Sequence, residues 1–448
     1  MSRVLALIDG EHYPPVVQAA LEQLAHSHEV VAACFAGGTE KIDECAADYG
    51  VPIVTGPDAV STLAAAIETY APEVVIDLSD EPVVTSADRF RLAGVALACG
   101  VTYLGADFQF DPVAIETETV TPALSIVGTG KRVGKTAVSA HVARLLAERG
   151  TMPVVLAMGR GGPAEPELLR GDQIALTTAD LLEFARRGAH AASDNYEDAA
   201  VSRVATVGCR RCGGGMAGST FFSNVAEGAA LADTVGADIV LLEGSGAAVP
   251  PVAADASLLV IGAARGAGYV TDYFGPLRLA SADAVVIAGA EPALVAEAEI
   301  AHLVSLVRHA RPDVPVSVVT FRPRPLEPVD GLRVFFATTA PAELLPVLRE
   351  HLEGEHGCTV VGATPHLSNR PLLRADLDAA AGTYDVLLTE IKAAAIDVVA
   401  EAGDASGVPT LLCDNVPVTV SGDDLGMVAL RIADLAIARA RERGGHAG

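Results

Sequence analysis

Gly128-Thr129-Gly130-Lys131-Arg132-Val133-Gly134-Lys135-Thr136 is the stretch on which the reading of this chain turns. An apolar run, 123–127, feeds it, and an amphipathic run to about Leu146 leaves it, beginning with Ala137. Glycines at 128, 130 and 134 let the backbone curl so that several N–H groups face one anion, and the start of a helix adds its partial positive charge. Lys135 then reaches the β- and γ-phosphates of ATP, and Thr136 can place its hydroxyl on Mg²⁺. Gly134 follows Gly128 by six positions where the standard loop has five, so this is a longer variant with its Gly-Lys-Thr correctly at the helix start. Lys131 and Arg132 lie inside the loop, where either can touch the transferring phosphate or face solvent.

A metal site needs a second oxygen ligand. Ala237-Asp238-Ile239-Val240-Leu241-Leu242-Glu243-Gly244-Ser245-Gly246 supplies one, since an apolar strand here ends in a carboxylate and a flexible turn. Glu243 is expected beside Thr136 as a metal ligand. An acidic strand cap is the alternative.

Working outward, the 448 residues exceed one ordinary core and imply more than one domain. Strand-like and helix-like stretches alternate, the pattern of an α/β fold with mainly parallel, doubly wound sheets. The first unit, 1–118, is read as Rossmann-like, with strands at 4–8, 30–34, 52–54, 74–78 and 102–104 and helices at 16–25 and 87–98. The second, 119–320, is a phosphate-loop NTPase unit with further strands at 154–158, 239–242, 258–261 and 284–287. Arg322-Pro323-Arg324-Pro325 reads as a linker. The remaining α/β segment, 321–448, has strands at 334–337, 386–388 and 411–413, and is either separate or completes the second sheet. Two carboxyl ends of first-unit strands carry Asp9-Gly10-Glu11-His12 and Asp77-Leu78-Ser79-Asp80-Glu81. These are turn and capping residues or a substrate-facing edge, with His12 the histidine to watch.

The formal net charge of −26 makes nucleic acid and anionic membranes poor partners. No apolar run suits a bilayer span or a signal peptide, so the expected location is the cytoplasm. Of the four lysines, Lys41, Lys131, Lys135 and Lys392, two fall in the loop, which marks a local anion site. Seven dispersed cysteines, including Cys45, read as reduced thiols. Cys209 and Cys212 alone have a metal-like or redox-like spacing.

In so acidic a chain, the charge that meets an anionic substrate must be local. Arg160, after the strand at 154–158, is one candidate. Arg210 and Arg211 beside Gly213-Gly214-Gly215 are others, either a flexible anion clamp or exposed arginines next to a hinge. Arg265 follows another strand end. Lys392 either contacts substrate or begins a solvated helix.

These segments carry a resemblance. Gly128–Thr136 with the strand ending in Glu243-Gly244 looks like the dethiobiotin synthetase group of phosphate-loop enzymes. Met158-Gly159-Arg160-Gly161-Gly162-Pro163, Cys209-Arg210-Arg211-Cys212-Gly213-Gly214-Gly215-Met216-Ala217-Gly218, Thr389-Glu390-Ile391-Lys392-Ala393-Ala394-Ala395 and Ile8-Asp9-Gly10-Glu11-His12-Tyr13 are closer still to the cyclic 2,3-diphosphoglycerate synthetases. The resemblance spans the whole chain. It implies an ATP-driven ligase that phosphorylates one phosphate of 2,3-diphosphoglycerate. The other phosphate then attacks, closing a cyclic phosphoanhydride and expelling phosphate. Lys135, Arg160, Lys131, Arg210 and Arg211 would carry that chemistry, with Mg²⁺ on Thr136 and Glu243. The resemblance also raises a K⁺ requirement and a homodimer as open points. Two alternatives stay open: a dethiobiotin-type ligase on another small anion, and a nucleotide-gated regulatory or assembly protein.

Overall fold

The computed structural model describes residues 1–38, 48–188, 190, 193–393 and 395–445; Lys41, Cys45 and Ala394 lie outside them. Among these residues the chain forms two large sheets. The first has the strand order Ile53–Val54, Glu29–Phe35, Arg3–Ile8, Val74–Asp77, Thr102–Leu104, Gln109–Phe110. All pairs but the last are parallel. Strand order reverses between Arg3–Ile8 and Val74–Asp77, so the residues after them, the acidic stretches noted above, meet at a switch point. Two of their carboxylates, Asp9 and Asp77, are taken up by structural hydrogen bonds. Asp9 accepts from the N–H groups of Glu11, His12 and Asp80 and from the His12 ring. Asp77 accepts from Ser79, Arg89 and the Tyr103 hydroxyl.

The second sheet runs in the order Glu167–Arg170, Ala205–Cys212, Pro153–Gly159, Ile239–Glu243, Ala123–Gly128, Ala256–Gly262, Ala284–Ala288, Val316–Pro325, Thr410–Gly422, Val386–Glu390, Arg333–Ala337, Thr359–Thr364. Its centre is parallel, apolar and buried on both faces, as covered parallel strands must be. The phosphate-loop strand Ala123–Gly128 sits mid-sheet. The helix after it, Lys135–Glu148, presses Val138, Val142 and Leu146 onto Leu124 and Ile126. Val428, Ile432 and Ala436 of the last helix, Leu425–Gly445, join the same core.

The final segment therefore adds strands to the phosphate-loop sheet. Arg322-Pro323-Arg324-Pro325, expected as a linker, is the end of the strand Val316–Pro325 and pairs antiparallel with Val416 to Cys413. Prolines are tolerated because parallel pairing on the strand's other side stops at Val319. The next donor into the ladder is Leu326 N–H, to Leu412 O, two positions from Arg324 and out of phase with both prolines. Their missing donors thus face the unpaired side, where a proline costs no ladder bond.

Candidate phosphate-transfer site

The loop is built by one strained turn. Gly134, the helix N-cap, has φ +92°, and a Cβ there would meet Phe321 Cζ at 2.3 Å, so only glycine fits on both counts. Lys135 opens the helix with its side chain nearly buried and donates from Nζ to Gly130 O at 2.8 Å, lying across the loop. Burial depresses its pKa to about 8, against the pull of Glu243 and Asp194 and with the push of Arg160 and Arg211. Lys131 and Arg132 are exposed. The Lys131 carbonyl accepts from Arg265 Nη2 at 2.7 Å, so Arg265 steadies the loop from outside.

Thr136 Oγ1 donates to Glu243 Oε1 at 2.6 Å. The strand Ile239–Glu243 thus delivers its terminal carboxylate to the helix start, and Glu243 is buried. Sequence reading missed what lies behind it. The helix Asp194–Ser202 carries Asp194, Glu197 and Asp198, spaced i, i+3, i+4 and therefore on one face. Asp198 is wholly buried and interacts with Glu243. Both Asp198 oxygens and Glu243 Oε2 are buried without a hydrogen-bond donor. Burial raises both carboxyls, with Glu243 adding to the shift of Asp198 and Asp194 to that of Glu243. Two neighbouring carboxyls with three orphan oxygens call for a shared proton or a cation. Among the described residues no group of three or more His, Cys, Asp or Glu side chains forms a metal cage. Two carboxylates and a hydroxyl nonetheless fit Mg²⁺, a hard ion that takes few protein oxygens and completes its shell with phosphates and water. The spacing Asp-x-x-Glu-Asp ahead of an apolar run was the available signal.

The arginines divide. A methyl on Gly246 would lie 3.0 Å from Arg160 Nη2 and 3.2 Å from Arg211 Nη2, so both guanidinium tips flank the turn after Glu243. Arg211 is held by Ser245 O at 2.8 Å and Gly213 O at 3.0 Å, and Arg160 itself pushes its pKa down, second to burial. Among the described residues neither forms an ion pair, although the Asp194 carboxylate attracts both: two like charges converge on one turn. Arg210 is separated from this pair. Adjacent strand residues face opposite sides of a sheet, and Arg210 instead lies 5.9 Å from the centre of the Phe222 ring. The same alternation divides Cys209 from Cys212 on the strand Ala205–Cys212; Cys209 is buried against Gly228 and Cys212 is exposed. Lys392 is partly exposed, and its Nζ sits 3.3 Å from Glu197 Oε1. His12 stays with Asp9 on the first sheet.

Residues 3–111, 123–320 and 325–416 match family models described as the N-terminal, P-loop and C-terminal domains of cyclic 2,3-diphosphoglycerate synthetase. The chain belongs to the cyclic 2,3-diphosphoglycerate synthetase family. A synthetase of that name from Rubrobacter xylanophilus is 49% identical over 99% of this chain and 98% of its own. Synthetases of the same name from Methanothermobacter thermautotrophicus and Methanothermus fervidus are 44% and 43% identical, each over 97% of both chains. The family is one of enzymes, and its P-loop domain covers the loop, Glu243, the carboxylate helix and all three arginines. Among the described residues no helix is long and apolar enough to cross a membrane.

Proposed function

We propose that this chain uses ATP to close 2,3-diphosphoglycerate into its cyclic phosphoanhydride, releasing ADP and phosphate in the cytoplasm. The observation that carries this reading is the convergence of Arg160 and Arg211, neither held in an ion pair, on the turn beside Lys135 and Glu243. Lys135 and the loop N–H groups hold the β- and γ-phosphates. Bound Mg²⁺ would neutralise charge on the transferring group, and Thr136, Glu243 and Asp198 are the residues to hold it. One substrate phosphate oxygen attacks the γ-phosphorus and ADP leaves. An oxygen of the second substrate phosphate then attacks the inner phosphorus of the new phosphoanhydride, and the terminal group departs as inorganic phosphate. No base is needed, since both attacking oxygens are already anionic. What the reaction does need is positive charge that lets two phosphates approach, and the paired guanidiniums supply it in a fork suited to phosphate.

A substrate panel tests this. ADP release is expected with 2,3-diphosphoglycerate and is expected to be at least about tenfold slower with monophosphoglycerates, which lack one bidentate guanidinium contact. Brisk turnover of a carbamate, the dethiobiotin-type substrate, or ADP release indifferent to any small anion would remove the bisphosphate from the proposal.

A further inference from the structure

Lys392 belongs to none of the steps above, and its surroundings give it a task. Its side chain is one-third exposed and that of Glu197 about one-eighth, with 3.3 Å between Nζ and Oε1. Glu197 lies on the helix face that presents Asp194 and Asp198 to the phosphate loop. On its other side Lys392 is attracted by Glu390, a buried carboxylate at the end of the strand Val386–Glu390. Glu390 is itself fixed by Thr338 Oγ1 at 2.6 Å, Thr339 Oγ1 at 2.7 Å, Thr339 N at 3.1 Å and Asn415 Nδ2 at 2.9 Å. Lys392 is thus anchored in the C-terminal strands and grips the carboxylate helix at one end.

The other end of that helix is gripped as well. Arg144, from the phosphate-loop helix, donates to Val201 O at 3.0 Å and sits 2.8 Å from Asp414 on the strand Thr410–Gly422. Between these two ties, Tyr196, Ala200 and Val201 share a core with Ile391, Ala395, Ile396 and Leu412. The C-terminal segment therefore meets the helix through the Lys392 ion pair and a shared core, while the helix's acidic face points to Lys135 and Glu243.

We infer that Lys392 is a positioning residue: through Glu197 it sets the carboxylate helix so that Asp198 and Glu243 hold Mg²⁺, coupling the C-terminal segment to the nucleotide site. This rests on the proposal that Asp198 and Glu243 bind the metal. A positioning partner behind metal ligands typically controls affinity by about 10- to 100-fold. Removing one member of a shielded ion pair also leaves the other charge uncompensated, so deleting both should be milder than deleting one.

The test is Mn²⁺ binding to the full-length protein with ATP, followed by electron paramagnetic resonance, beside the Mg²⁺ dependence of turnover. Lys392→Met is expected to weaken Mn²⁺ binding about tenfold or more and to raise half-saturating Mg²⁺ in step, with metal-free ATP binding little changed. Lys392→Arg should stay within a few-fold of wild type, and Lys392→Met with Glu197→Gln should recover part of the loss. Should Lys392→Met not fold, Glu197→Gln is read the same way. Folded variants with unaltered Mn²⁺ binding, or a double variant worse than either single one, overturn the inference. Asp198→Asn and Glu243→Gln separate the two claims. If they lose metal and the Lys392 and Glu197 variants do not, only the positioning role fails; if they too keep it, the metal site fails first.

Discussion

Lys135→Ala is expected to lower turnover by roughly 10²-fold or more in a protein that still folds, the scale for removing one key electrostatic contact in a transition state. The side chain is buried beside Glu243 and spans the loop to Gly130 O. Truncation leaves a single carbonyl without its donor, a small loss to the fold and a large one to a site that gathers phosphate charge. The same lysine is expected to make ATP binding pH-dependent. Its pKa without nucleotide is held down to about 8, chiefly by burial, and bound phosphates favour the charged form. Below about pH 8 it is protonated with and without ATP, so affinity is flat. Above that, binding must take up a proton, and affinity falls by up to about tenfold per pH unit. Calorimetry in buffers of different ionisation enthalpy reads this uptake, and Lys135→Ala should abolish it. Full activity in the folded variant, or wild-type affinity that stays flat well above pH 8, contradicts the role.

Arg160→Ala and Arg211→Ala are each expected to lose about tenfold to a hundredfold in 2,3-diphosphoglycerate-dependent ADP release, the equivalent of roughly 1.5–3 kcal/mol for a charged hydrogen-bonding contact. ATP affinity should change far less. With a net charge of −26 the chain offers no long-range attraction to a bisphosphate, so short-range donors must hold it. The guanidiniums flank one turn, and Arg211 is braced on Ser245 O and Gly213 O while the rest of its fork remains to donate. Arg210→Ala serves as the contrast. Its side chain lies over Phe222, so a smaller effect is expected. Collapse of ATP affinity with intact substrate dependence would reassign the pair to the nucleotide. A larger effect at Arg210 than at Arg211 would mean that the other sheet face binds substrate.

Local rules made the phosphate loop and the pairing of Thr136 with Glu243 legible, because a glycine-rich turn between an apolar strand and a helix has few other uses. Parallel order at the sheet centre followed from the alternation of strand-like and helix-like stretches. What stayed hidden depends on contacts distant in sequence. Asp198 reads as an ordinary helical acid until the fold carries it to Glu243, and Lys392 stayed open between a substrate contact and a solvated helix start because nothing local places it opposite Glu197. Arg322-Pro323-Arg324-Pro325 has linker composition, and only one-sided pairing of its strand makes the prolines acceptable. Arg210 and Arg211 looked like a unit because they are adjacent, yet strand alternation sends them apart.

The central claim is that two phosphates of one substrate are joined at the expense of ATP, and ³¹P NMR of the protein with MgATP and 2,3-diphosphoglycerate tests it most directly. The expected result is a new pair of phosphoanhydride signals from the substrate phosphates, growing as ADP and inorganic phosphate appear in equal amounts. ADP and phosphate accumulating while both phosphomonoester signals of the substrate persist unchanged would contradict it.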